Sequence, residues 1–327
     1  MRTLRLLRRR LIGAVPLLLI VATGAFLLLE AAPGDAVDAY LAGAGGGDAE
    51  LIARLRAEWG LDQGPLRRFL AYMAALATFD LGWSTAFNRP VLDVVLERLP
   101  NTLLLMSLST AFAFAVGSAL GIVAGTRPGS ARDRLLSIGS IAVYAMPGFW
   151  LGLVLIVIFA VDLRWLPSGG IESVASGKAG LDRALDIAQH LFLPVASLGL
   201  VYLALYLRLM RDGMANLWSA DFVRGAQARG LPRWRIVIGH VARNALLPVV
   251  TMLGLQSASM LGGSVVIESV FAVPGLGRLA SEAVAQRDMP LLLGVLLCSA
   301  LVVLVVNLLV DIAYATLDPR VGSTGET

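Results

Sequence analysis

The chain has 327 residues, of which 57% are hydrophobic and 15% charged, with a net charge of +4 and a mean hydropathy of +0.77. Soluble domains carry about 25% charged residues, so this composition excludes an ordinary water-coated surface and points to the bilayer. The basic excess is almost wholly Arg between apolar runs, which fits membrane topology better than nucleic-acid binding, and the lone Cys298 excludes an internal disulfide or a cysteine metal cluster.

A helix needs about 20 apolar residues to cross the hydrocarbon core. Six segments qualify: Leu11 to Leu29, Leu99 to Gly125, Leu135 to Val161, Ile187 to Leu209, Leu246 to Phe271 and Leu291 to Ala315. Arg2, Arg5 and Arg8 to Arg10 precede the first. Such a start also suits a secretion signal, with Glu30-Ala31-Ala32 as a weak cleavage site. The apolar run exceeds the ~7 to 15 residues of a signal core, which favours a retained anchor. The organisation expected is an anchor helix over 1–30, a long loop over 31–98, a membrane core over 99–315 and a tail over 316–327.

Sidedness follows from the short loops. The N-terminus, the loop with Arg127, Arg132 and Arg134, and a loop at about 211–245 are rich in Arg and fall on one side. The positive-inside bias makes that side cytoplasmic, with both termini there. The segment 31–98 then lies outside. Within it, Ala49 to Trp59 has apolar residues at helical spacing, and Gly60 stands where a C-cap would. Pro65 to Ala77 reads as a second amphipathic helix, and Gly43 to Gly47 as a flexible link. Two readings stay open for this region: a lid packed on the membrane domain, or a receiver of solute from an outside carrier.

The polar loop carries most of the mechanism. Asp221 opens a short helix through Phe222, Val223, Ala226 and Ala228, where its charge meets the helix dipole, and Gly230 caps the end. Pro232 suits the first turn of a second helix with Trp234, Ile236 and Ile238. Gly225, Ala226, Ala228 and Gly230 are small enough for a partner groove to approach the backbone. Arg224, Arg229, Arg233 and Arg235 are placed to meet acidic groups or carbonyls there. An ordinary positive-inside loop would show the same charge.

Elsewhere, Gly262 and Gly263 allow close helix packing or line a pathway, with Ser264 and Glu268 beside them as possible gate residues. Asp311 reads as structural, pairing with an Arg of the cytoplasmic side. Pro147, Pro194 and Pro248 kink or start helices. His190 and His240 are far apart and lack a carboxylate cluster, which argues against a metal centre. His240 is expected to organise the polar loop. Ser107, Ser109, Ser257 and Ser259 read as packing hydroxyls, since no nucleophile stands with a base for an intramembrane hydrolase. An ion-driven secondary transporter would need mid-membrane charges or repeats, and neither stands out.

Gly230, His240, Arg243, Asn244 and Leu247-Pro248 resemble the EAA-type signature of ABC-transporter permeases in its oligopeptide, dipeptide and nickel branch. Arg224-Gly225-Ala226 replaces the acidic opening of the general signature, a departure that this branch shares. Further matches run along the chain: Ala32-Pro33-Gly34-Asp35, Phe79 to Ser84, Arg89-Pro90-Val91, Arg98 to Leu103, Pro147 to Gly152 and Trp165-Leu166-Pro167. Gly262-Gly263-Ser264, Glu268 to Phe271, Pro274 to Arg278, Arg287-Asp288, Asn307, Asp311 and Leu317 to Arg320 follow in order. Together they resemble the first of two permease subunits.

The resemblance implies an all-α membrane protein with six spans in the type-1 importer architecture, with a coupling helix between the fourth and fifth spans. It implies the bacterial inner membrane, a second permease, two ATPase subunits that use ATP and Mg, and an outside solute-binding protein. Peptides are the implied solute, with nickel or another small solute as the alternative. The chain itself should then lack a nucleotide site. Its one lysine, Lys178, follows Gly177, but Glu172 and Ala179 stand where a P-loop needs Gly and a hydroxyl. ATP binding in the partners would drive alternating access, with Asp221 to Gly230 as a lever.

Overall fold

The computed structural model of the chain describes residues 2–31, 37–38, 41, 46, 48–58, 61–174 and 177–317. These form two compact units, residues 1–100 with 274–308 and residues 101–273 with 309–327.

The first unit opens with α1 (Arg2–Ala31), α2 (Ala49–Glu58) and α3 (Pro65–Ala77). Pro65 sits in the first turn of α3, where its missing N–H costs nothing. Phe26 of α1 meets Phe69 of α3 edge to face at 5.2 Å between ring centres. A two-stranded hairpin follows, β1 (Trp83–Ser84) against β2 (Arg89–Pro90), with Ser84 opposite Arg89. Asn88 turns it with φ +49°, a left-handed conformation that Asn tolerates. The start of α4 (Val91–Gly125) packs Val91, Val94 and Val95 against Leu276 and Leu279 of α11 (Leu276–Ala285) and Leu291 of α12 (Met289–Leu317). Buried Asp288 ties the hairpin to that core: it accepts from Ser84 Oγ at 2.6 Å and Ala86 N at 3.0 Å, and caps α12 through Leu291 N at 3.1 Å.

The second unit holds the rest of α4, then α5 (Ala131–Ala145), α6 (Gly148–Leu155), α7 (Gly180–Leu217), α8 (Asp221–Ala228), α9 (Arg233–Ile236) and α10 (Arg243–Val270). Ser130 caps α5 by accepting from Asp133 N at 3.2 Å. α6 runs on as a π-helix, Ile156–Asp162, and α9 as another, Val237–Ala242. One core cluster gathers Tyr206, Met210 and Met214 of α7 with Val223, Ala226, Val241 and Met260. A second gathers Leu193 and Leu198 with Ile267, Phe271 and Val273.

Among the described residues, four helices are long and apolar enough to cross a membrane: Val91–Gly125, Gly180–Leu217, Arg233–Gln256 and Met289–Val310. The third expected span is instead two helices, Ala131–Ala145 and Gly148–Asp162, bent by 104°. Pro147 stands at that break as the N-cap of α6, because a proline ring disfavours helical backbone before it. α1 is one 30-residue helix, Arg2–Ala31, that contains the whole of the first expected segment, Leu11 to Leu29. The second begins at Val91 and the fourth at Gly180, both earlier than expected, because apolarity marks where a helix meets lipid and not where its backbone bonds end. Pro194 and Pro248 lie inside helices, so Pro248 does not start one. The expected helix at residue 49 is present, while Trp59, Gly60, Ala32 to Asp35 and Asp318 onward lie outside the described residues, as does most of the glycine link at 43–47.

Candidate functional site

The polar loop folds as an amphipathic pair of short helices. Val223 and Ala226 of α8 and Ile236 of α9 are buried, while Asp221, Phe222, Arg224, Gly225, Ala228 and Arg229 face outward. Gly230 ends α8 with φ +72°, a backbone that glycine adopts without the penalty a side chain brings. Its N–H reaches Gln227 O at 2.9 Å and Leu231 N reaches Ala226 O at 3.3 Å, closing the helix end. Pro232 stands one position earlier than expected, as the N-cap of α9 with φ −65°. Phe222, Trp234 and Ile238 are large apolar groups left exposed on this loop.

Two expected contact residues are engaged within the chain. Ala226 is fully buried among Met210, Met214 and Val241, so its small size serves the internal core. Arg233 donates to Thr126 O at 2.9 Å and lies 5.6 Å from the Trp218 ring centre. Arg224 and Arg229 remain exposed, Arg224 lying 3.6 Å from Asp221 Oδ1 and Arg229 donating to Gly225 O of its own turn at 3.2 Å. His240 is half-buried and acts through its carbonyl, which accepts from Asn244 Nδ2 at 2.7 Å. Arg243 and Pro248 are exposed on the first turns of α10.

Beneath the loop lies a seam that the sequence reading overlooked. Gly117, Gly121 and Gly125 face α7 at a four-residue spacing. A methyl group on Gly117 would come within 2.7 Å of Leu203 O, and one on Gly121 within 2.6 Å of Leu207 O. On Gly125 it would collide with Met214. Such close approach lets backbones pack where lipid offers no hydrophobic drive. The i, i+4, i+8 repeat of glycine is visible in the sequence and would have marked it.

Polar bonds fasten the same end of the seam. Asp133, with its side chain 4% exposed, accepts from Arg211 Nε at 2.9 Å and from its terminal nitrogen at 2.8 Å. Gly129 N adds a bond at 2.8 Å. Trp218 Nε1 donates to Gly125 O at 2.7 Å. Toward the start of α7, Asp186 accepts from Ser173 N at 2.6 Å, Ser173 Oγ at 2.8 Å and Lys178 Nζ at 2.5 Å. His190 Nδ1 lies 2.8 Å from Asp186 O. The Arg183 guanidinium beside Glu172 holds that exposed carboxyl below its ordinary range.

The four gate candidates separate. Glu268 is fully buried and accepts from Thr102 Oγ1 at 2.7 Å. Ser264 is 1% exposed and bonds its own helix at Leu261 O. A methyl on Gly263 would meet Leu198 at 3.1 Å, whereas Gly262 faces open space. The two glycines thus point different ways. Asp311 lies on α12, but its side chain is outside the described residues.

Comparison with known proteins agrees along the chain. Residues 117–323 match the family of binding-protein-dependent transport system inner membrane components, and residues 3–106 match that family's N-terminal region. The oligopeptide transport system permease protein AppB of Bacillus subtilis is 36% identical over 318 residues, covering 96% of this chain and 98% of that protein. The glutathione transport system permease protein GsiC of Escherichia coli O6:H1 is 37% identical over 313 residues, covering 96% of this chain and 97% of the relative. An inward-facing MetNI methionine ABC transporter structure superposes with a TM-score of 0.55 at 17% identity, covering 69% of this chain and 97% of the matched one. That likeness extends the agreement to the fold. The chain therefore belongs to the binding-protein-dependent transport system inner membrane component family, and is a multi-pass, non-catalytic permease subunit of an ABC importer.

Proposed function

We propose that this chain is half of a peptide-translocating pair in the bacterial inner membrane. The arrangement that carries the reading is α8, whose inner face is anchored in the core while its outer face presents Asp221, Phe222, Arg224, Gly225 and Arg229. A helix held on one side and open on the other can transmit a push. On this reading α8 and its neighbours dock an ATPase subunit on the cytoplasmic side. Two such ATPases bind ATP and Mg, and a second permease and an outside solute-binding protein complete the assembly. Six spans place both termini in the cytoplasm, with α1 supplying the first and the bent α5–α6 pair the third. ATP-driven closure of the ATPases shifts α8, and the spans alternate between outward and inward access.

Short peptides are the favoured solute, since AppB and GsiC are named for oligopeptide and glutathione transport. Gly262, which faces open space, is the favoured pathway residue of the four candidates. Buried Ser264 and Glu268, with Gly263, support the wall behind it. The test is affinity purification from gently solubilised native membranes. A second permease and two ATPases should co-purify, and should be lost when Asp221 to Gly230 is scrambled. Recovery of the chain alone would remove the reading. Uptake of labelled di- and tripeptides, compared with nickel, then separates the solutes.

A further inference from the structure

α4 ends at Gly125, and the last carbonyls of any helix lack intrahelical partners. Two of the acceptors at this end are met by side chains from distant sequence. Trp218 Nε1 donates to Gly125 O at 2.7 Å, across 93 positions. Arg233 donates to Thr126 O at 2.9 Å, across 107 positions. The two donors also meet each other, with the guanidinium 5.6 Å from the indole centre. A cation at a helix C-terminus is favoured by the helix dipole, and a planar guanidinium stacks on indole while donating from its edge.

The surroundings make this more than a cap. Trp218 follows α7 and Arg233 opens α9, so they bracket α8 in the chain. Arg211 grips the far side of the same turn through Asp133, whose carboxylate also accepts from Gly129 N. Gly125 has no room for a side chain against Met214, so the backbones of α4 and α7 approach closely at this end. The turn at 125–133 is therefore held by donors from before and after α8.

We infer that Trp218 and Arg233 are positioning residues that clamp the α8–α9 pair to the α4–α5 turn, so that a displacement of α8 moves that turn as one piece. The inference rests on the proposed ATPase docking and names the route by which the push enters the membrane helices. The covalent chain leads from α8 only into α7 and α10. The clamp adds α4 and α5 directly.

The test uses the assembled importer with spin labels at Arg127→Cys and Gln227→Cys in a Cys298→Ser background. The label distance is read without nucleotide and after trapping with MgATP and vanadate. With the clamp intact, one narrow distribution should persist in both states. In the Trp218→Phe, Arg233→Ala double variant it should broaden and shift between states. Arg233→Lys, which keeps a donor but loses the planar stack, should fall between. A wild-type distribution that changes with nucleotide overturns the clamp, and so does a double variant whose distribution stays invariant. Should the double variant fail to assemble, Trp218→Phe alone keeps an aromatic ring beside the guanidinium while removing the donated bond, and the distribution should still broaden between states. Distances are read only in complexes that retain the ATPases, whereas the docking reading fails by loss of the ATPases, so the two failures are distinguishable.

Discussion

The two ends of α7 each carry a buried carboxylate knot, and the knots differ in reach. Near the start, Asp186 gathers Ser173 and Lys178 from the loop just before it, over 13 and 8 positions. Near the other end, Arg211 reaches Asp133, 78 positions away. The first knot pins a loop to its own helix. The second joins separate helices, and Trp218 and Arg233 fasten the same turn. A local knot can loosen while the fold around it holds. A non-local one cannot, because the elements it joins have no short chain path to restore their register.

The sharpest way to break this contrast is Asp133→Ala. It takes the bidentate partner from Arg211, which is 30% exposed and keeps Asp212 at 2.9 Å, and it removes the bond from Gly129 N, so the cost is about 2–3 kcal/mol. Thermal unfolding in detergent should show a large drop, and the double variant Asp133→Ala, Arg211→Ala should recover part of it. No recovery would mean that the pair does not act together. Gly121→Leu comes next. Its side chain must enter the space of Leu207 O and Met210, and overpacking of this kind costs roughly 1–3 kcal/mol. A melting temperature equal to wild type would show that the seam is loose.

Gly230→Val is expected to cost about 1–2 kcal/mol, because a β-branched residue is strained at φ +72°. No atom stands within 4 Å of its missing Cβ, so the effect is conformational. Uptake should fall while ATP hydrolysis and membrane insertion persist. Normal uptake would count against α8 as a lever. The smallest effect belongs to the local knot. Lys178→Met removes an ion pair whose lysine is 40% exposed, worth about 1 kcal/mol or less, and Asp186 keeps both bonds from Ser173. A loss as large as that of Asp133→Ala would erase the distinction between the two ends.

Some of this was legible along the chain. Asp221 to Ala228 forms the short helix that its apolar spacing predicts, and Gly230 ends it in a left-handed turn. Pro65 to Ala77 is a helix on the same grounds. The 104° break at Pro147 was legible only as a kink of unknown size, because a proline marks a boundary without setting the angle beyond it. Ala226 and Gly225 are both small and adjacent, and only packing tells that one is buried in the core and the other exposed. Arg233 belongs to a run of similar arginines, and nothing local distinguishes the one that reaches Thr126.

By itself the sequence determined the membrane class, the helical periodicity, the positions of the turns and the family, because these depend on composition and on neighbours a few residues apart. The tertiary structure alone decided which carboxylate meets which arginine, which glycines seat against α7, and which donors close the end of α4. Those pairings join residues tens to more than a hundred positions apart. They are selected by the close approach of whole helices, which no local pattern encodes.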